Sequence, residues 1–286
     1  MVPLPERDQT LPVIRYLFLL VVGIVSALGD VAYSFEQRTT PRPLRIHVVR
    51  VELESKQHTL DVIVAPDPDG PAPAEARLEK PDVLVSQPDI VAAINANAFE
   101  EYPTPPPGAR SHWRVGLPVQ ILGWAKSAGR EASFPQPGYW NFWLDETGSP
   151  HIGHLTNTAP ARLAVAGFGP LLLDGRIVPE EDGVRHPRTA VGLDATRQRL
   201  LLVVVDGRRP GYSEGVSTHE LAGLLAERGA HHALNLDGGG SSILFFRQDG
   251  KLRVVNRPAQ SSARPVPVLL VVRQQAPPPA TPPTAQ

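Results

Sequence analysis

The chain has no cysteine in its 286 residues. That absence removes disulfides, thiolate metal sites and cysteine nucleophiles together, so any metal would be held by oxygen or imidazole. Net charge is nearly absent as well: 28 Lys and Arg stand against 29 Asp and Glu, which gives a nucleic-acid partner no electrostatic support. No internal repeat is visible, which argues against a solenoid. The apolar stretch from Tyr16 to Leu28 falls short of the ~20 residues a spanning helix needs. It follows Arg15 and precedes Ala32-Tyr33-Ser34, with small residues at the −3 and −1 positions of a cleavage site. Residues 1–34 therefore read as a signal peptide or an uncleaved N-terminal anchor. The expectation is an exported protein that is periplasmic, in the cell envelope or secreted, touching a membrane only through such an anchor.

The remaining length suffices for a core without covalent staples. Residues 35–273 read as a single catalytic domain, and the Pro-rich residues 274–286 as a disordered tail. Two β-rich segments, 44–53 and 59–64, predict a hairpin through the polar residues between them. A second hairpin is predicted from Trp140–Asp145 and His151–Leu155. Trp113, Trp124 and Tyr139 fall in a Pro- and Gly-rich stretch from 103 to 139, which reads as long loops able to wall a binding site. Thr218–Gly229 carries apolar residues at helical spacing, a Ser217 or Thr218 cap and a terminal glycine. The predicted class is α+β: a mixed β-sheet core with a few helices and long loops.

Two apolar runs end in acidic turns. Leu200–Val205 delivers Asp206-Gly207-Arg208, and Ala233–Leu236 delivers Asp237-Gly238-Gly239-Gly240-Ser241-Ser242. If these strands pair in parallel, Asp206 and Asp237 lie side by side. Three glycines let a ligand approach the main chain, and converging N–H groups can bind an anion. Arg188 offers a planar guanidinium for phosphate, and His186 beside it is a general acid, an N–H donor or a turn residue. Asn95 and Asn97, closing another apolar run, can hydrogen-bond a sugar, while Phe99 stacks on it or fills the core. Asp206, Asp237 and Glu220 are the candidate catalytic carboxylates. Glu220 can equally offset a helix dipole, and the two aspartates can hold turns or share a hard cation such as calcium.

The segments Gly167–Arg176, His186–Gly192, Asp206–Arg208, Glu220–Ala222 and Asn235–Ser242 occur in an order that resembles the phosphodiester glycosidase family, with Asn256-Arg257-Pro258 and Arg264-Pro265-Val266 matching its C-terminal end. The resemblance spans about 44 to 273. It implies an exported hydrolase that cleaves the glycosidic bond of sugar-1-phosphodiesters in cell-envelope or secreted glycans, with no cofactor required. It also implies that Arg188 and Gly238, Gly239 and Gly240 cradle phosphate, with His186, Thr189, Arg208, Asn235 and Ser241 around the substrate. The chain reads Asn95-Ala96-Asn97-Ala98-Phe99 where family members commonly show an Asn-Gly-Gly-Phe-Phe-like segment. The alternative is a non-catalytic polysaccharide-binding or exopolysaccharide-assembly protein on the same fold. Convergence of Arg188, Asp206 and Asp237 in one cleft would favour the enzyme.

Overall fold

A computed structural model describes residues 21–275 except 56, 69, 71–73, 107, 109–111 and 128. Most of the predicted leader and nearly all of the Pro-rich tail lie outside the described residues. The architecture corrects the α+β expectation: among the described residues strands make up 47% and helices 7%, in several antiparallel sheets. The physical reason is that β-branched runs such as Leu200–Val205 all find strand partners. Only Thr218–Ala226 combines helical spacing with a capping box, in which Ser217 Oγ accepts from Glu220 N and Glu220 accepts from Ser217 N. The other α-helix, Pro81–Leu84, is a single turn.

The largest sheet has eight strands, in the order Val21–Leu28, Val31–Arg38, Leu44–Glu52, Arg199–Val205, Arg188–Leu193, His232–Asn235, Gly169–Leu173 and Arg176–Ile177. Its first two strands occupy residues that the leader reading covers. Tyr33 is buried there, its hydroxyl 2.8 Å from His47 Nδ1, so a leader ending at residue 34 would take this contact with it. A five-stranded sheet runs Lys251–Val254, Leu244–Gln248, Ile90–Asn95, Val268–Gln274, His58–Val64. The predicted 44–64 hairpin is therefore absent. Leu44–Glu52 pairs with Arg199–Val205, and His58–Val64 pairs with Val268–Gln274. The partial alternation of Leu44–Glu52 marks it as a strand without saying which strand lies beside it. The Trp140–Asp145 hairpin does form, with Pro150–Gly153, and Asp145 Oδ1 ties its turn by accepting from Thr147 N and Ser149 N.

The main core lies where the inner face of the large sheet meets the other sheets. The Thr218–Ala226 helix covers the opposite face through Leu221, Leu224 and Leu225. Leu200–Val205 and His232–Asn235 run parallel but do not pair, because Arg188–Leu193 lies between them and bonds to both. Asp206 and Asp237 consequently emerge at the same sheet end but one strand apart. That end meets the five-stranded sheet at Asn95. Its Oδ1 accepts from Thr189 Oγ1 and Ile243 N, each at 3.0 Å, and its Nδ2 donates to Asp237 O at 2.5 Å.

Gly167 lies under this junction, where a Cβ would overlap the carbonyl oxygen of Asn235. Gly167→Ala should cost about 1–3 kcal/mol through backbone displacement. Gly169→Ala, where a Cβ meets nothing within 4 Å, should stay within about 0.5 kcal/mol of the parent. Equal urea midpoints for the two variants would refute this close approach.

Candidate active site

Beyond Asn235 the chain is pinned at successive residues. Leu236 N donates to Thr189 O at 2.9 Å, Asp237 N to Ala96 O at 2.9 Å and Gly239 N to Pro187 O at 2.8 Å, before the short 3-10 turn Gly239–Ser241. Gly238 N donates to the Asp237 carboxylate. Two of the three glycine amides are thus committed within the protein, so the open amide cradle expected from the sequence is largely closed.

The glycines serve the site in another way. A Cβ on Gly240 would overlap the Arg264 guanidinium, one on Gly239 would stand 3.2 Å from Arg208 Nη2, and one on Gly238 would overlap Pro187 O, with the Arg188 side chain at ordinary contact distance. Gly239 also needs its φ of +61°. The absence of side chains lets the Arg208 and Arg264 guanidinium groups close on one loop, with Arg188 packed beside it. Arg188 is oriented by Nε donating to Val216 O at 3.1 Å and Nη2 to Val184 O at 3.2 Å. Arg208 Nη2 donates to His186 Nδ1 at 3.3 Å, which places the imidazole proton on Nε2 as a free donor. Arg264 Nη1 donates to Ser241 Oγ at 3.4 Å, and its guanidinium carbon lies 5.7 Å from the Trp113 ring centre.

These groups depress one another. Burial lowers the pKa of His186, and the Arg208 and Arg188 charges add to the effect, so the imidazole is neutral at pH 7. Burial lowers Arg188, opposed in part by Asp182, with a smaller lowering from Arg208; Arg264 is likewise lowered by burial, opposed in part by Asp237, with a smaller lowering from Arg208. A guanidinium stays charged at such shifts, so the loop carries an uncompensated positive field suited to an anion.

Asp237 is the carboxylate set among these cations. Burial pushes it up to about 6, although the Ser241 hydroxyl, the Arg264 charge and Gly238 N–H all act to lower it. Asp206 sits behind the loop instead. It is 1% exposed, and its oxygens accept from Asn256 Nδ2 at 3.1 Å, from Arg257 N at 3.0 and 3.1 Å and from Tyr212 Oη at 3.3 Å, with His47 Nε2 at 3.4 Å. Donors saturate it, so it neither faces a ligand nor fits a cation shared with Asp237. It acts through Asn256, which also donates to Ser242 O and accepts from Leu244 N, fixing the exit of the loop. Glu220 completes the helix cap and pairs with Arg42 at 2.6 Å on the helix side of the sheet.

The remaining candidates divide in the same way. Asn95, Thr189 and Asn97 are buried, and Asn97 ties Leu122 O, Trp124 O and Ala166 N together, so all three position the backbone. Ser241 bridges Asp237 and Arg264. Asn235 Oδ1, Ser242 Oγ and Arg264 Nε are buried beside the loop without a partner among the described residues. Arg264 and Trp113 were not picked out as site residues from the sequence. Arg264 had a signal, since an arginine next to proline before an apolar strand repeats the pattern of Pro187-Arg188.

The scaffold is antiparallel β-sheet, and it gathers Arg208, Arg264 and Asp237, with Arg188 beside them, at a sheet junction. The phosphodiester glycosidase family model matches residues 89–273, and the chain belongs to that family. The chain is similar in structure to the zebrafish N-acetylglucosamine-1-phosphodiester alpha-N-acetylglucosaminidase catalytic domain auto-inhibited by its pro-peptide, at 21% identity and a TM-score of 0.64 over 90% of this chain and 88% of that one. It is also similar to a hypothetical protein from Synechocystis, at 15% identity and a TM-score of 0.54 over 90% and 68%. No curated protein matches in sequence.

The two aspartates should separate in a stability measurement. Asp206→Ala strands several buried donors and should cost about 3 kcal/mol or more. Asp237 has its carboxyl raised from 3.8 to about 6 in the folded protein, so the native state holds the proton more tightly. Its contribution is intact below about pH 4 and lost as pH rises to about 6, a change of about 3 kcal/mol that Asp237→Asn should abolish. Urea midpoints between pH 4 and 7 test both, and a flat parental difference relative to Asp237→Asn would refute the assignment.

Proposed function

We propose that the protein is a phosphodiester glycosidase that cleaves the bond between the anomeric carbon and the phosphate-bearing oxygen of a sugar-1-phosphodiester. The observation that carries this reading is the closure of Arg188, Arg208 and Arg264 around a glycine loop that also holds Asp237. A phosphate diester is already a weak base, so its departure needs charge stabilisation more than a strong acid. The three guanidinium groups and the free His186 Nε2–H supply it. Asp237 is mostly ionised at neutral pH, and from its place beside Arg264 it activates water or attacks the anomeric carbon.

Export belongs to the same proposal, supported by Arg15 and the apolar stretch Tyr16–Leu28. The substrate would then be a glycan phosphodiester of the cell envelope or the surrounding medium. Asp206 stands outside the contact set, so Arg188, Asp206 and Asp237 do not converge as a trio, and the proposal rests on Asp237 with Arg188, Arg208 and Arg264.

Purified protein incubated with a panel of sugar-1-phosphodiesters should release free sugar and a phosphomonoester. Arg264→Ala and Arg188→Ala should each lower kcat/KM by about 100- to 1,000-fold. Asp237→Asn should remove activity, and in the parent kcat/KM should climb with pH through about 6 and then level off. A folded protein that turns over no member of the panel yet retains glycan polymer would establish the binding role instead.

A further inference from the structure

We propose that Asp174, His231 and His232 form a binding site for a divalent transition-metal ion of the zinc type, at the opposite end of the strand that leads into the glycine loop. The three residues come from two neighbouring strands. Gly169–Leu173 turns back into Arg176–Ile177 through Asp174 and Gly175, with φ of 48° and 75°, a two-residue hairpin of the type I′ kind. The same strand pairs with His232–Asn235, Leu172 lying opposite Ala233, so the hairpin tip sits beside the two histidines.

Their main chains are fixed. His231 N donates to Leu193 O at 2.7 Å, and Gly175 N donates to His231 O at 2.8 Å. Adjacent residues on an extended strand ordinarily point to opposite faces. Here His231 precedes the strand and the two rings meet edge to face, 5.0 Å apart. His231 Nδ1 and His232 Nε2 then face each other at 3.4 Å, and His232 Nε2 is 3.5 Å from Asp174 Oδ1.

Those separations match a coordination sphere. Four ligands placed tetrahedrally at about 2.0–2.1 Å from zinc stand roughly 3.3 Å from one another. Two edges of that figure are already set, and ligand atoms of all three residues lie within 4.8 Å of one another. Asp174 is exposed, with 81% of its side chain accessible, so a rotamer change can close the third edge. Two imidazoles and one carboxylate suit zinc, copper or nickel better than calcium or magnesium. Three protein ligands leave the fourth position to water. Arg197 also acts electrostatically on His232, but its guanidinium lies 3.4 Å from His151 Nδ1. A bound ion would tie the 174–175 hairpin to the start of the strand whose far end carries Asn235.

The test is titration of the chelator-treated full chain with zinc chloride alone, by calorimetry and by thermal melting. One equivalent should bind, and Tm should rise with zinc concentration. Asp174→Asn keeps a residue that tolerates positive φ and should weaken binding at least ~10-fold, while His232→Gln should weaken it at least ~100-fold. Metal-free Tm should match the parent for Asp174→Asn, which separates lost ligation from lost folding. No binding, binding unchanged in both variants, or a preference for calcium over zinc would each overturn the site. None of these residues touches the glycine loop, so the outcome is independent of whether sugar phosphodiesters are hydrolysed.

Discussion

The Asn95 side chain is the contact on which the rest of the arrangement depends. Its carbonyl oxygen collects a donor from each of two sheets, Thr189 Oγ1 on one side and Ile243 N on the other, while its amide holds the carbonyl of Asp237. A buried amide is tolerated only when its polar atoms are matched, and matching this one requires both sheets to be in register at their ends. The loop carrying Asp237 is therefore placed by the packing of the whole scaffold. No local turn preference would hold it there.

Around that joint, two kinds of polar residue do different work. Asp206, Asn97 and Glu220 are tied to partners inside the protein and set distances. Asp237, Arg188, Arg208 and Arg264 keep charge that internal partners do not cancel. The glycines mediate between the groups, because removing three Cβ atoms allows three cations to approach one short turn. Each arginine raises the cost of the next, and the carboxyl of Asp237 relieves only part of it. The cluster is stored electrostatic strain that an anion would release.

Much of this was legible in the sequence, and the failures have a common origin. Helix 218–226 announced itself through Ser217, Glu220 and Gly229, and the 140–153 hairpin through its polar turn, since both signals are local. The partner of Leu44–Glu52 was not legible, because the alternation of Leu44, Ile46 and Val48 with Arg45 and His47 marks a strand and its faces but not its neighbour, which lies about 150 residues away in sequence. The class was misread for the same reason: continuous apolar runs say buried without saying what covers them. Arg188, Arg208 and Asp237 stood out by their chemistry. The burial of Asp206 did not, as an Asp-Gly turn reads alike whether it faces ligand or Asn256. Trp113 reaches Arg264 only through a tertiary contact across about 150 residues of chain.

The place of Val268–Gln274 has a consequence for how the molecule comes into being. This strand lies in the interior of the five-stranded sheet, between Ile90–Asn95 and His58–Val64, although its residues are synthesised after the other four. Until it inserts, the sheet consists of two pieces with open edges, and Arg264, just upstream, has no fixed position. Assembly of the arginine cluster is thus coupled to closing loops of about 170 to 200 residues, a slow step by the entropy of bringing distant segments together. A nascent chain would carry one edge of Ile90–Asn95 and of His58–Val64 unpaired until Val268–Gln274 is available, an interval in which unpaired edges invite aggregation.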